Sequence, residues 1–316
     1  MLREALAIEA QEKYVRPALN KPNKRAHPST YMKRTPRLTR IDFSMSLGLQ
    51  AEIAAIGRAR ADTPLPSTPE EYAAEFLAGS HGAEVRYQAA QLTPGSRVLD
   101  IGVGNGASSV FLASLGHEVT VIEPSPALCE RLHRAAEAYD LQIDIYIANA
   151  ESVDCIPGVF DDAVFCSSLH HCDDPIGALR RLSMKLRPGG RVFVLNEPIL
   201  QCYRSKAWFF RMIAEHPEEM GHYGGNEHIY RYSEYAKFLQ VAGFSLVSAQ
   251  PHQSVRSASA RLALWANRPG ARFHHRQRAI KWCYYGIVAF LVRFAPLCWL
   301  LRRSSLLPIS FVAVRR

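Results

Sequence analysis

The stretch VLDIGVGNGASS, residues 98–109, decides the fold. Gly102, Gly104 and Gly106 follow a run of apolar residues at alternate positions. Glycines at the end of a strand let a ligand approach the backbone closely. Asp100 stands just ahead of them, and a fixed carboxylate there would repel a pyrophosphate and attract a cationic ligand. The stretch therefore predicts a strand, a ligand-binding loop and a helix, with a ligand other than a dinucleotide.

Strand and helix patterns alternate along the rest of the chain. Short apolar or alternating runs predict strands that begin near residues 97, 118, 142, 161, 190, 244 and 309. Helical patterns of 10–15 residues between strands imply a parallel sheet that is covered on both faces. We therefore expect an α/β fold, with a Rossmann-like doubly wound sheet of about seven strands. The sheet should be mostly parallel, with helical insertions after strands 5 and 6.

The composition along the chain predicts four segments. Residues 1–67 form a basic, partly disordered N-terminal segment, in which residues 41–61 favour a helix. Residues 68–250 and 307–316 form the main domain, and a helix capped at Ser67 or Thr68 is predicted to run to about Gln91. Within the chain, residues 199–232 are a substrate-covering insertion and residues 251–306 a basic, apolar helical insertion.

Further motifs follow the glycine stretch in a fixed order. They are VTVIEPS, IANAES, FDDAVFCSSLHHCDDP, LRPGGRVFVLNEP and RYSEYAKFLQVAGF. Together with VLDIGVGNG, this set resembles the class I methyltransferases that use S-adenosylmethionine (SAM), over roughly residues 70–250 and the last strand. The resemblance implies SAM as the cofactor. SAM carries a sulfonium cation and no phosphate, which agrees with an acidic loop.

The resemblance also assigns the residues that bind the cofactor. Asp100 would contact the methionine head, the three glycines would allow close approach, and Glu123 would accept hydrogen bonds from both ribose hydroxyls. Asn149 stands where the family commonly has Asp, and its carbonyl oxygen can still accept a hydrogen bond from the adenine amine. The full set is Asp100, Gly102, Gly104, Gly106, Glu123, Asn149, Ala150 and Ser167.

The fourth strand ends at SSLHH, where the open edge of such a sheet faces its ligands. His170 and His171 are therefore candidate catalytic bases for a hydroxyl acceptor, with a slight preference for His171. Alternatively, one imidazole only ties the loop down by hydrogen bonds. We expect no metal site at His170, His171, Cys172 and Asp173, because adjacent residues rarely point at the same ion and zinc spacing is absent.

The segment GHYGGNEHIYRY, residues 221–232, is rich in side chains that bind hydroxyl groups. It is interpreted either as an acceptor-binding element or as a surface loop with a Gly-Gly turn. The expected reaction is O-methylation of a small hydroxylated acceptor or of one linked to a lipid or glycan. The candidate acceptor-binding residues are His222, Tyr223, Asn226, Glu227, His228 and Tyr230.

Two basic segments dominate the net charge of +9: residues 21–40 and residues 251–316 contain Lys and Arg but no Asp or Glu. They favour an anionic membrane surface as a partner and nucleic acid less strongly, since 21–40 lacks interleaved stacking aromatics. The apolar run 282–301 predicts either a helical cap over the site or a hairpin that dips into lipid. A nucleic-acid methyltransferase and a non-catalytic scaffold remain alternative functions.

The compartment is predicted from the cysteines and the start of the sequence. Seven scattered cysteines without a C-x-x-C pair favour a reducing compartment. The start MLREALAIEAQEKY mixes charges and lacks the apolar stretch of a secretory signal. A cytoplasmic protein, with contact to a membrane surface left open, is the expectation.

Overall fold

The computed structural model describes residues 35–60, 64–215, 226–251 and 308–316 of the chain. An eight-stranded sheet forms its centre, and the expectation of a mostly parallel α/β sheet is confirmed. The strands are β1 (Arg37–Arg40), β2 (Arg97–Ile101), β3 (Glu118–Glu123), β4 (Ile143–Ile147), β5 (Phe160–Cys166), β6 (Leu186–Glu197), β7 (Phe244–Pro251) and β8 (Ile309–Arg315).

Eight α-helices belong to the described part of the chain. They are α1 (Leu47–Arg60), α2 (Pro69–Ala78), α3 (Ser80–Ala89), α4 (Ala107–Ser114), α5 (Pro126–Ala138), α6 (Pro175–Lys185), α7 (Lys206–Glu215) and α8 (Tyr232–Val241). Short 3₁₀ turns, Ala150–Cys155 and Leu169–His171, follow β4 and β5. Two apolar clusters, one on each face of the sheet, form the core.

The strand order is β1-β4-β3-β2-β5-β6-β8-β7. β1 to β6 pair in parallel, whereas β8 pairs antiparallel with both β6 and β7. From β2 the chain builds the sheet outward through β3 and β4, and then returns to β5 on the other side of β2. Ligands of doubly wound sheets bind at this reversal, beyond the carboxyl ends of the strands. The loops after β2 and β5 are therefore the expected floor of a site.

Two features of the N-terminal third differ from the sequence-based expectation. The helix predicted to run to about Gln91 is divided at Gly79, whose backbone is extended, into α2 and α3. The two helices approach so closely that a Cβ on Gly82 would lie 2.3 Å from the backbone of Leu77. The sheet also does not begin at the expected boundary of residue 68, because β1 adds an eighth strand beside β4.

The insertion 251–306 connects β7 to β8 and, apart from Pro251, lies outside the described residues. The antiparallel pairing of β7 with β8 agrees with the expectation that both ends of this insertion return to one sheet. Among the helices of the described segments, none has the length and apolar character that a membrane crossing requires. A cap formed by 282–301 and its contact with lipid both stay predictions.

Candidate functional site

A cavity of about 920 Å³ opens at the reversal of the sheet, between β2 and β5. The loops after β2, β3, β4 and β5 form its floor, and α1 with the α2–α3 junction lies across from them. Among the described residues that line it, five carry carboxylates and one carries a guanidinium. They are Glu52, Glu75, Glu123, Glu151 and Asp173, and Arg131. An acidic cavity in a chain of net charge +9 favours a positively charged ligand.

The glycine loop after β2 is shaped by close contacts. Gly102 has a φ of +70°, and a Cβ there would lie 2.6 Å from the Cβ of Ser168. Only glycine combines that backbone with that approach. From outside the loop, the hydroxyl of Tyr72 in α2 donates a hydrogen bond to the carbonyl of Asn105 at 2.6 Å. The loop thus follows the contour of the β5 turn and is fixed by α2.

Asp100 is buried beside the loop rather than facing the cavity. Its Oδ2 accepts hydrogen bonds from the hydroxyls of Ser108 at 2.8 Å and Ser109 at 2.7 Å, in the first turn of α4. Burial raises the pKa of Asp100 to about 6, although the two hydroxyls act in the opposite direction. The geometry favours a role in joining β2 to α4. The predicted direct contact with the methionine head is untested.

Glu123 lines the cavity at the end of β3. Its two carboxylate oxygens accept hydrogen bonds from the backbone N–H groups of Gly104 and Ser125, both at 3.0 Å. Burial nevertheless raises the pKa of Glu123 to about 7. The carboxylate is therefore held by the glycine loop, and each oxygen has a further lone pair for a ligand hydroxyl.

Three more predicted cofactor residues also line the cavity: Asn149, Ala150 and Ser167. The Oδ1 of Asn149 accepts a hydrogen bond from the hydroxyl of Ser152 at 2.7 Å. Ser167 has a φ of +53° and donates its hydroxyl to the carbonyl of Asn196 at 2.8 Å. The structure thus brings these side chains to one wall. Their contact with a cofactor stays a prediction.

His170 lies behind the cavity wall and is tied to two carboxylates. Its Nδ1 lies 2.7 Å from Oε2 of Glu197, and its Nε2 lies 3.4 Å from Oε2 of Glu227. Burial favours the neutral ring, but the two carboxylates outweigh it and raise the pKa of His170 to about 10. The buried Glu197 also accepts the backbone N–H groups of Ser168 and Leu169, so it fixes the whole β5 turn.

His171, unlike His170, lines the cavity. Its Nδ1 lies 3.1 Å from the carbonyl oxygen of Asn226 and 3.3 Å from Oε1 of Glu52. Its Nε2 lies 3.7 Å from Oε1 of Glu227. Three elements that are distant in sequence therefore meet at this ring: α1, the turn after β5, and the segment before α8.

The predicted acceptor residues divide between these surroundings and the undescribed part of the chain. Asn226 is buried and donates its side-chain N–H to the carbonyl of His171 at 2.8 Å. His228 lies 3.9 Å from Asp173, and Tyr230 packs edge-on against Phe238. These three do not line the described cavity. Glu227 lies beside His170 and His171. His222 and Tyr223 lie outside the described residues, and acceptor binding by all six remains a prediction.

Sequence reasoning missed three residues around the histidines. Glu52 and His81 line the cavity from α1 and α3, and Glu197 supports the β5 turn from β6. Burial lowers the pKa of His81, although the charge of Glu197 opposes that shift. For Glu197 a signal existed, because a charged residue at the end of a buried apolar strand needs a polar partner. Nothing local marks Glu52 or His81.

Comparison with known proteins gives matches to the central part of the chain. The family model described as "Methyltransferase domain" matches residues 99–194. A ubiquinone biosynthesis O-methyltransferase from Xanthomonas campestris pv. campestris (strain B100) is 37% identical over 112 residues, which are 34% of this chain and 46% of that protein. The corresponding protein from Xanthomonas axonopodis pv. citri (strain 306) is 36% identical over 114 residues, 35% of this chain and 47% of that one. The chain thus spans about half the length of these curated relatives.

Two solved structures share the fold over most of the chain. The [4+2]-cyclase SpnF is 18% identical, with a TM-score of 0.51, covering 88% of this chain and 98% of its own. A geranyl diphosphate methyltransferase, solved with GPP and sinefungin, is 15% identical with a TM-score of 0.51, covering 74% of this chain and 77% of its own. At this identity the likeness shows the fold and leaves the reaction to the residues of the site.

Proposed function

We propose that this chain, whose residues 99–194 match a methyltransferase-domain model, is a class I SAM-dependent enzyme that transfers the methyl group of SAM to the oxygen of a small hydroxylated acceptor. The cofactor would occupy the glycine-loop end of the cavity, between Gly104 and Asn149. The acceptor would lie at the histidine end, beside His171. When bound, SAM supplies an activated methyl group next to a positively charged sulfur.

One observation carries this proposal: Glu123 stands in an acidic cavity at the reversal of the sheet, clamped by the N–H of Gly104. A carboxylate with a lone pair left on each oxygen suits a cis-diol such as the ribose of SAM. The surrounding carboxylates favour the sulfonium cation and oppose a phosphate-bearing cofactor. The glycine loop lets such a ligand lie against the backbone.

The protein's own residues have two tasks in methyl transfer. The cavity walls hold the acceptor oxygen ~3 Å from the methyl carbon, which is the larger share of catalysis in such displacements. His171, the histidine of the β5 turn that lines the cavity, is placed to accept the hydroxyl proton. Its Nδ1 donates to the carbonyl of Asn226, so Nε2 is the nitrogen that would accept the proton.

Oxygen as the methylated atom is supported by the names of the curated relatives, which are ubiquinone biosynthesis O-methyltransferases. A lipid-linked or glycan-linked acceptor is a finer proposal, supported by the size of the cavity and by the long basic insertion between β7 and β8. That insertion would bring the cavity to an anionic surface.

The experiment is calorimetric titration of the full chain with SAM and with S-adenosylhomocysteine. Both should bind at one site, and Glu123→Gln should weaken binding by about 10–100-fold, because a charged acceptor of two hydroxyls is lost. Glu118→Gln is the matched control, since Glu118 lies in the same strand, is exposed and pairs only with Arg97 among the described residues.

Absence of heat at millimolar SAM would contradict the proposal, as would equal affinity in both variants. A second measurement tests whether the bound SAM is used for methyl transfer. Full chain, SAM and a panel of small phenols and polyols should give methyl ethers by mass spectrometry. Binding of SAM without any methylated product across the panel and a metabolite extract would favour the scaffold alternative instead.

A further inference from the structure

We propose that His170, His171 and Glu227 form a binding site for a divalent transition-metal ion at the acceptor end of the cavity. Its binding of metal is independent of the proposed function. Its catalytic consequence rests on that function.

The donor atoms already lie at distances that one ion can bridge. Each of the three residues offers one ligand atom, and these atoms all lie within 4.8 Å of one another. The two Nε2 atoms approach different oxygens of Glu227, at 3.4 Å for His170 and 3.7 Å for His171. Ligands at ~2.1 Å from one ion lie roughly 3–4 Å apart, so small side-chain rotations complete the site.

Both imidazoles are oriented by partners on their other nitrogen. Nδ1 of His170 lies 2.7 Å from the carboxylate of Glu197, and Nδ1 of His171 lies 3.1 Å from the carbonyl of Asn226. A carboxylate and a carbonyl accept hydrogen bonds, so Nδ1 is the donor in each ring. Nε2 of His170 lies against a second carboxylate and carries a proton there, which a metal ion would displace into water. In both rings the lone pair that binds the ion is then on Nε2, the atom that faces Glu227. Metal-binding histidines show this arrangement, with the second nitrogen donating to a carboxylate or carbonyl.

A buried oxygen beside the cluster gives a second observation. Oε2 of Glu52 is buried and forms no hydrogen bond within the described segments, while its Oε1 lies 3.3 Å from the ring of His171. Glu52 also lines the cavity. A buried carboxylate oxygen without a donor is costly. A cation at the cluster would offset that cost and reduce repulsion between Glu52 and Glu227.

The objection from the sequence, that adjacent histidines rarely point at one ion, does not hold for this turn. His170 and His171 belong to a 3₁₀ turn, Leu169–His171, in which their ring centroids lie 4.2 Å apart and tilted by 39°. The turn places both rings beside one carboxylate, that of Glu227, which comes from a distant segment of the chain. Sequence spacing alone does not contain this information.

The donor set indicates the class of ion. Two imidazoles and one carboxylate suit Zn²⁺, Fe²⁺ or Co²⁺, whereas Mg²⁺ and Ca²⁺ prefer oxygen ligands. Three protein ligands leave positions open, as in catalytic sites. In the proposed methyl transfer, an ion here would hold the acceptor hydroxyl and lower its pKa. His171 would then be a metal ligand, and the metal-bound hydroxyl would release its proton to water rather than to a protein base.

The test uses the full chain, stripped with a chelator and then titrated with Zn²⁺ by calorimetry and with Co²⁺ by absorption. We expect one ion per chain, no heat with Mg²⁺, and visible Co²⁺ bands of a site with nitrogen ligands. Glu227→Gln should weaken binding by at least about tenfold, since a ligand matters no less than a supporting partner. Glu137→Gln is the matched control, because His133 and Glu137 form another histidine–glutamate pair, at 3.7 Å on α5.

Three results would overturn the proposal: no binding at millimolar Zn²⁺, equal affinity in Glu227→Gln and wild type, or loss of binding in Glu137→Gln alone. If circular dichroism shows that Glu227→Gln is unfolded, His171→Gln takes its place with the same expectation. Titration of each sample with SAM separates the two proposals. SAM binding without metal binding removes only the metal site, and metal binding without SAM binding removes only the methyltransferase activity.

Discussion

The two ends of the cavity are built in different ways. At the glycine-loop end, the proposed cofactor end, the loop between β2 and α4 is short, and Glu123 is held by backbone N–H groups of nearby turns. At the histidine end, the proposed acceptor end, His170 and His171 are held by side chains and a carbonyl from α1, β6 and the segment before α8. The first end is made of backbone and local sequence. The second is made of charged side chains brought together by the tertiary fold.

The difference predicts how the two ends respond to substitution. Backbone contacts depend on few side chains, so a short motif is enough to form the cofactor end. Buried carboxylates and imidazoles stabilise each other only when all are present, because any one left alone is costly to bury. Substitutions at the acceptor end should therefore affect stability more than substitutions at the cofactor end.

Glu197→Ala is the largest expected effect and the most direct way to break this comparison. The substitution leaves the backbone N–H groups of Ser168 and Leu169 and the ring of His170 without their common acceptor. Removal of one partner from such a buried set costs about 3–5 kcal/mol of the free energy of unfolding. Urea denaturation measures it. The control Glu118→Ala, at an exposed position, should cost about 1 kcal/mol or less. Similar losses in both variants would show that the buried network contributes no more stability than an exposed ion pair.

The pH dependence of SAM binding sharpens the comparison at the cofactor end. Because burial raises the pKa of Glu123 to about 7, its charged form is lost as pH falls through 7. Affinity for SAM should therefore rise with pH up to about 7 and weaken by about tenfold for each unit below it. Calorimetry from pH 5.5 to 8.5 measures this. In Glu123→Gln the slope should disappear, and a slope that persists would assign the titration to another group.

The same carboxyl predicts the sign for stability without ligand. Its pKa is higher in the folded chain than in the unfolded chain, so its contribution is present below pH 4.5, the ordinary value, and is lost as pH rises through about 7. SAM binding therefore favours the charged form of Glu123, whereas the stability of the protein without SAM favours the neutral form.

Tyr72→Phe is the smallest expected effect. The hydroxyl of Tyr72 donates to the carbonyl of Asn105 at 2.6 Å and so ties α2 to the glycine loop. Loss of one such bond costs about 1 kcal/mol. SAM affinity should fall only a few-fold, because the loop keeps its bond from Gly104 to Glu123. Tyr139→Phe, which removes a bond to the carbonyl of Pro66 away from the cavity, is the control. A loss of tenfold or more would show that the cofactor end depends on side chains after all.

The order of strands and helices could be predicted because each element has its own local pattern. The strands VLDI and VTVIE, for example, are short apolar runs that are followed by turn residues. The break at Gly79 could not be predicted in this way, because it results from close packing of α2 on α3. The strand β1 could not be predicted either. Its four residues have mostly exposed side chains and show no strand-like alternation, so only the pairing with β4 identifies the strand.

The orientation of Asp100 has a simple physical reason. Side chains alternate along a strand, so Asp100 lies on the same face of β2 as Val98, the face that α4 covers. Leu99 and Ile101 belong to the other cluster. Glu123 is the last residue of its strand and can turn into the cavity. Motif likeness identifies both carboxylates, but strand geometry distinguishes a side chain that joins two elements from one that lines the cavity.

The position of β8 has a consequence for how the chain is made. This strand lies between β6 and β7 and is paired on both sides, yet it follows both in the sequence. While residues from Pro198 to Pro308 emerge from the ribosome, the β6 side of the sheet stays open and β7 has no strand to join. The nascent chain therefore carries an unfinished sheet edge, which other chains could pair with, until the strand after the long insertion fills the gap.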